Sequence, residues 1–320
     1  MPDTESDEDT ASATDSDAAD SDVEEPKLLA LRGDLEVLDP SVIAAAGGFV
    51  LFHTGVGIQV KRSDDLLVWR ESLPVFEAYP EWILDEFPDS EQLWGPDISY
   101  FGGAYHLYYG VSTFASNVSC IGHAVAPDLQ EATLWTDLGT VICTDEEDKW
   151  NAIDPAWVTD ENGSPWLIFG SYWHGIKAIA LDEEGARVGD TLVDMAARPG
   201  NPAVAAPFIL RRGEMFYQFV SFDQCCMGLD STHNIRVGRA DTLLGPYTDF
   251  DGLSMLTGGG TLLVEGNDRW HGPGHNAVLE FEGTYYNMYH AYDADNGGLP
   301  TLRISTIVFD ADGLPHVAGP

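Results

Sequence analysis

Apolar residues in this chain come in short, aromatic-rich runs that each follow a glycine-bearing turn. After Gly47-Gly48 stands Phe49-Val50-Leu51-Phe52, and after Gly102-Gly103 stands Tyr105-His106-Leu107-Tyr108-Tyr109. Gly163, Gly213 and Gly283 introduce Trp166-Leu167-Ile168-Phe169, Met215-Phe216-Tyr217-Gln218-Phe219 and Tyr285-Tyr286-Asn287-Met288-Tyr289. Runs of this length and make-up, bounded by turn residues, read as strands. Ahead of each turn lies a hairpin partner marked by a proline: Asp39-Pro40-Ser41-Val42, Pro96-Asp97-Ile98-Ser99, Asp154-Pro155-Ala156-Trp157, Ala206-Pro207-Phe208-Ile209 and Pro273-Gly274-His275-Asn276. The prolines stand 56, 59, 52 and 66 residues apart. That period accommodates a four-stranded sheet with its turns, the unit of a radial array. The expected fold class is therefore all-β, a five-bladed β-propeller. The alternative is a β-sandwich whose strands begin with proline, a residue tolerated at that position.

In a propeller the first strand of every blade lines the central axis, so residues beside these prolines converge. Asp39 and Asp154 each precede a proline among apolar neighbours (Val37 and Leu38; Ile153 and Ala156). A carboxylate is costly in such surroundings unless it is paired or functional. One Asp-Pro pair alone is an ordinary turn dipeptide; two in equivalent repeats point to a site. Trp94, Phe114, Trp157, Trp173 and Trp270 are expected to rim the cleft. Aromatic faces stack on sugar rings and paired acids act on glycosidic bonds, which indicates carbohydrate as the ligand.

Charge narrows the setting. Fifty-three acidic residues face fifteen basic ones, for a net charge of −38, and only Lys27, Lys61, Lys149 and Lys177 are lysines. Nucleic acid and anionic membrane are poor partners for such a surface. Residues 1–26 hold eleven of the acids and no base, and are expected as a disordered acidic tail ahead of one propeller domain over 27–320. The remaining forty-two acids still leave about −27, a self-repulsion that salt screens, so a saline environment is expected. Cys120, Cys143, Cys225 and Cys226 have neither zinc spacing nor a disulfide framework and are expected as buried free thiols. No apolar run is long enough to span a membrane, and the N-terminus lacks the charged and apolar regions of a signal peptide. No oligomer interface is evident, and a monomer is expected.

Several stretches carry a resemblance. Asp39-Pro40-Ser41, Leu93-Trp94-Gly95-Pro96-Asp97-Ile98, Ser112-Thr113-Phe114, Trp150-Asn151-Ala152-Ile153-Asp154-Pro155, Phe169-Gly170-Ser171-Tyr172-Trp173, Ser221-Phe222-Asp223-Gln224-Cys225-Cys226 with Ser231-Thr232-His233-Asn234-Ile235-Arg236, and Gly272-Pro273-Gly274-His275-Asn276 resemble glycoside hydrolase family 43. Within it they are most similar to the endo-1,5-α-L-arabinanases, over about residues 33–310. The resemblance implies a five-bladed propeller that hydrolyses arabinan, or arabino-oligosaccharides, with inversion. It implies Asp39 as general base and Asp154 as the residue that raises the acid's pKa and orients it. It also implies contact of Asn151 and Ser171 with the sugar next to the scissile bond, stacking on Trp94 and Phe114, and calcium held by His275 with waters. An exo-acting arabinofuranosidase or xylosidase of the same family is the less favoured relative, because the Cys225-Cys226 block matches the arabinanase branch. Arabinan is an extracellular substrate, so action outside the cell is expected, with a cytoplasmic site left open.

The general acid of this family is a Glu in an Ile-Glu-Ala-Pro phrase. Here the phrase reads Val204-Ala205-Ala206-Pro207, and Ala205 holds the acid's place. A methyl group donates no proton, and Glu214, beyond the Arg211-Arg212-Gly213 turn, is expected to be solvated. Losing a general acid costs about 10²–10⁴ in rate, so near silence on arabinan is expected. Leu38 replaces a usual His and Ala115 a usual Gly. Either Ala205 disables an otherwise intact enzyme, or the cleft belongs to a non-catalytic arabino-oligosaccharide-binding protein.

Overall fold

The structure is a computed structural model that describes residues 25–131 and 133–320. The acidic tail expected over 1–26 lies outside the described residues except for Glu25 and Pro26. Five sheets follow one another along the chain, each built on a run of four consecutive antiparallel strands. Their inner strands are Ser41–Ala45, Trp94–Phe101, Ala156–Thr159, Val204–Arg212 and Trp270–Phe281, one for each proline-marked segment. The apolar runs after the glycine turns are the second strands: Gly48–His53, Ala104–Ser112, Pro165–Phe169, Met215–Phe222 and Thr284–Asp293. The architecture is the five-bladed β-propeller read from the repeat.

Strands alternate their side chains between two faces, and each blade presents both faces to its neighbours. Five apolar clusters result, one at each seam. Phe52 and Val60 of blade 1 meet Leu107, Tyr109 and Val111 of blade 2. Ile168 and Ile176 of blade 3 meet Phe216 and Val220 of blade 4. The other seams are filled in the same way around Ile121 and Phe169, Phe219 and Tyr289, and Leu51 and Met288. Full burial of one such side chain contributes about 1.5–3 kcal/mol, so adhesion between blades is an apolar matter.

The ring is closed by the segment before the first inner strand. Leu29 N–H donates to the Ile304 carbonyl at 2.8 Å and Val37 N–H to Pro300 at 3.0 Å, while Leu302 N–H donates to Leu35 at 2.8 Å. On its other side, Arg32–Gly33 pairs in parallel with Val68–Glu71. This segment thus joins blade 5 to blade 1.

The cysteines differ from expectation. Cys120 and Cys143 form one disulfide and Cys225 and Cys226 another, so none of the four is a free thiol. Cys120 and Cys143 are register partners on adjacent strands, a proximity that 23 residues of spacing do not reveal.

Candidate active site

The residue before each repeated proline is in the left-handed region: Asp39 (φ 56), Gly95 (47), Asp154 (55), Ala206 (50) and Gly272 (51). Proline offers no N–H to the ladder, and pairing breaks around it, with register shifts between Trp94 and Asp97, Ala205 and Phe208, and His271 and Gly274. Such irregularities re-aim side chains. Asp39 and Asp154 accordingly stand just ahead of their strands rather than within them. Three of the five left-handed positions carry a Cβ, a strain of about 1–3 kcal/mol each that accompanies functional positions.

Asp39 is the best-partnered carboxylate of the group. The Thr54 hydroxyl donates to its Oδ2 at 2.6 Å, His275 Nδ1 stands 3.1 Å from Oδ1, and its own N–H donates to His290 Nδ1 at 3.2 Å. Burial alone would raise its pKa, but His275, His290 and Thr54 hold it well below the usual carboxylate range. Asp39 is therefore ionised at neutral pH, with 13 % of its side chain exposed. Burial disfavours the charged form of His275 too, yet Asp39, Asp154 and Asp97 push it up to about 9. His290 is wholly buried, and burial pulls it down to about 4.

Asp154 behaves in the opposite way. Burial and the nearby Asp39 charge push it up to about 6, against His275 and the donors Ser171 and Ala206 N–H. Ser171 forms a bridge to Ala205, and Tyr172 N–H donates to the Val204 carbonyl at 2.8 Å. Position 205 therefore lies beside the groups that hold Asp154, and it is buried. Among the described residues, Asp223 is the nearby carboxylate and it is committed elsewhere. Asp223 is bound by Arg198 at 2.9 Å and Asn234 at 2.8 Å, and although burial alone would raise its pKa, those contacts hold it low. Glu214 is exposed in its turn, as expected.

The remaining expected residues divide. Trp94 is half-buried beside Gly95, Trp173 is half-buried after Ser171, and Phe114 is 72 % exposed on the loop that also carries Ala115. Asn151 is buried, and its Oδ1 accepts from Ser119 at 2.5 Å, an anchoring role. Two expected rim residues are elsewhere. Trp270 is buried in the seam between blades 4 and 5, with the Arg303 guanidinium 4.1 Å from its ring. Trp157 stacks on Phe101 at 4.8 Å, within the seam of blades 2 and 3. Thr54, His290 and Asp97 were not singled out by sequence reasoning, though Asp97 stands in the same pre-strand phrase as the others. Asp97 is 6 % exposed, and burial pushes it up to about 7.

For a cation at His275, the local donors are its ring and the carboxylates of Asp39 and Asp154. A methyl on Gly95 would lie 2.8 Å from both Asp154 Oδ1 and His275 Cε1, so ring and carboxylate share one small recess. Among the described residues the only cluster of three converging donors is Glu86 with Cys120 and Cys143, whose sulfurs are joined. One nitrogen with carboxylates acting through water suits a hydrated hard cation, not a closed protein cage.

A propeller with buried carboxylates gathered at one end of its axis, one held low and one held high, is the scaffold of a glycoside hydrolase. The chain belongs to glycosyl hydrolases family 43, whose model matches residues 33–315. It is 39 % identical over 275 residues to the extracellular endo-α-(1→5)-L-arabinanase 1 of Bacillus subtilis, covering 84 % of each chain. It is 38 % identical over 301 residues to the extracellular exo-α-(1→5)-L-arabinofuranosidase ArbA of Cellvibrio japonicus, covering 88 % of this chain and 86 % of that one. Among solved structures, the family 43 endo-arabinanase from Bacillus licheniformis superposes with a TM-score of 0.85 at 42 % identity, over 90 % of this chain and 99 % of that one.

Proposed function

We propose that this chain carries the cleft of an inverting endo-1,5-α-L-arabinanase whose proton donor is missing. The observation that carries this reading is Ala205, buried beside the Ser171 and Ala206 groups that hold Asp154, in a cleft where Asp39 is fully ionised. Asp39 accepts the proton of the attacking water. Above about pH 6 Asp154 is ionised, and its negative charge would raise the pKa of a neighbouring acid and keep that acid protonated. Inversion needs acid and base about 6.5–9.5 Å apart to admit that water. The named activities of the relatives agree on α-1,5-linked arabinan and divide between internal and terminal cleavage. Internal cleavage is favoured here by the Cys225-Cys226 block and by the endo-acting relatives. The relatives' extracellular naming and two disulfides support action outside the cell. A calcium ion would be held by His275, with Asp39 and Asp154 acting through water. When bound it would supply positive charge to offset those carboxylates, in place of the imidazolium proton.

The test is hydrolysis of linear 1,5-arabinan in high-salt buffer by this chain and by its Ala205→Glu form. Glutamate is expected to raise the rate at least about 10²-fold and to release oligomers; release of arabinose alone would mean terminal cleavage. If both forms stay silent while arabino-oligosaccharides bind, the protein is a carbohydrate binder. The alanine at 205, together with the departures at Leu38 and Ala115, is what favours that second reading.

A further inference from the structure

We propose that Asp97 is a positioning residue, a clamp that fixes how far apart Asp39 and Asp154 stand; the inference rests on the catalytic reading of those two aspartates. Asp97 lies on the inner strand of blade 2, between the blades that carry them. Its Oδ1 accepts from the Ser41 hydroxyl at 3.1 Å, and its Oδ2 accepts from the Trp157 N–H at 2.8 Å. The Ser41 oxygen in turn accepts from Ile98 N–H at 3.2 Å, closing a loop between blades 1 and 2. Ser41 is two residues past Asp39, and Trp157 is three past Asp154. One buried carboxylate thus holds both strands just below the reacting groups. The position after each repeated proline reads Ser41, Asp97, Ala156, Phe208 and Gly274, so only blade 2 spends an ionisable group there. Adhesion does not require it, since apolar clusters fill both flanking seams. A buried carboxylate is a poor source of net stability. What it adds is direction, because two hydrogen bonds set the height of one strand against the other, as an apolar contact does not.

The test uses the Ala205→Glu form as parent and measures kcat, KM and Tm on linear 1,5-arabinan after adding Asp97→Ala or Asp97→Asn. Asp97→Ala is expected to lower kcat about 10²-fold with KM changed by no more than about twofold. Asp97→Asn should recover at least tenfold of that loss, because its oxygen can accept from Trp157 while its amide donates to Ser41. A fall in Tm alone, or an Asn form as slow as the Ala form, would overturn the clamp. Should Asp97→Ala not fold, Ser41→Ala removes one arm and is expected to cost about tenfold in kcat; no loss counts against the proposal. If the parent itself releases nothing, the catalytic reading has failed separately. Crystal structures of this chain and its Asp97→Ala or Ser41→Ala form then decide, and an unchanged Asp39 to Asp154 separation refutes the clamp.

Discussion

Gly95→Ala isolates the crowding at the axis. The position has φ 47, which costs an L-residue about 1–2 kcal/mol. Asp39, Asp154 and Ala206 adopt almost the same angle in their own blades, so the frame tolerates a Cβ in that conformation. The clash is therefore the larger effect. The new methyl would stand 2.8 Å from Asp154 Oδ1 and from His275 Cε1, and 3.4 Å from the Asp154 Cα. Ordinary contact begins near 3.4 Å, so the carboxylate and the ring must each retreat by about 0.6 Å. A displacement of that order at a reacting group costs about 10²-fold in rate. Strain of about 1–2 kcal/mol lowers Tm by about 2–6 °C. The assay is arabinan hydrolysis by the Ala205→Glu form with and without Gly95→Ala, beside thermal melts of both. A rate within about threefold of the parent, with the drop in Tm present, would show that Asp154 need not hold its position.

Two further outcomes are expected. Phe114→Ala should weaken arabino-oligosaccharide binding about three- to tenfold by calorimetry, through lost stacking, while Tm stays within about 1 °C because the ring is already 72 % exposed; unchanged affinity would remove Phe114 from the cleft. His106 and His123 are buried against one another at 2.9 Å, and burial lowers both pKa values, His123 to about 4. The folded rings hold protons more weakly than the unfolded chain, so their stability contribution is complete above about pH 6.5 and is lost as pH falls toward 4. Tm should fall through that window and fall less steeply in His123→Gln; parallel curves would refute the assignment.

The architecture was legible because the repeat is written twice, in the prolines and in the glycine-led apolar runs, and both report local geometry. Asp39 and Asp154 were legible for the same reason, since a carboxylate beside a repeated proline is a local anomaly. What escaped notice depends on register. His290 reaches Asp39 from a second strand and Thr54 from the residue just past one, where nothing in their own neighbourhoods sets them apart. Cys120 and Cys143 face each other only once two strands are aligned. Trp157 and Trp270 have the composition of a sugar platform, but their rings turn into seams, a choice made by neighbours such as Phe101 and Arg303. Asp97 sits in a legible phrase, but its meaning lies in donors on two other blades.

The segment that closes the ring also orders events in time. Leu29 and Lys27 hydrogen-bond to Ile304 and Thr306, so a segment synthesised before blade 1 awaits a strand of blade 5. Blades 2, 3 and 4 can assemble their hairpins as they emerge from the ribosome. Blade 1 stays open along one side until blade 5 arrives, and the cleft, which draws Asp39 from the first blade and His275 from the fifth, is completed only then.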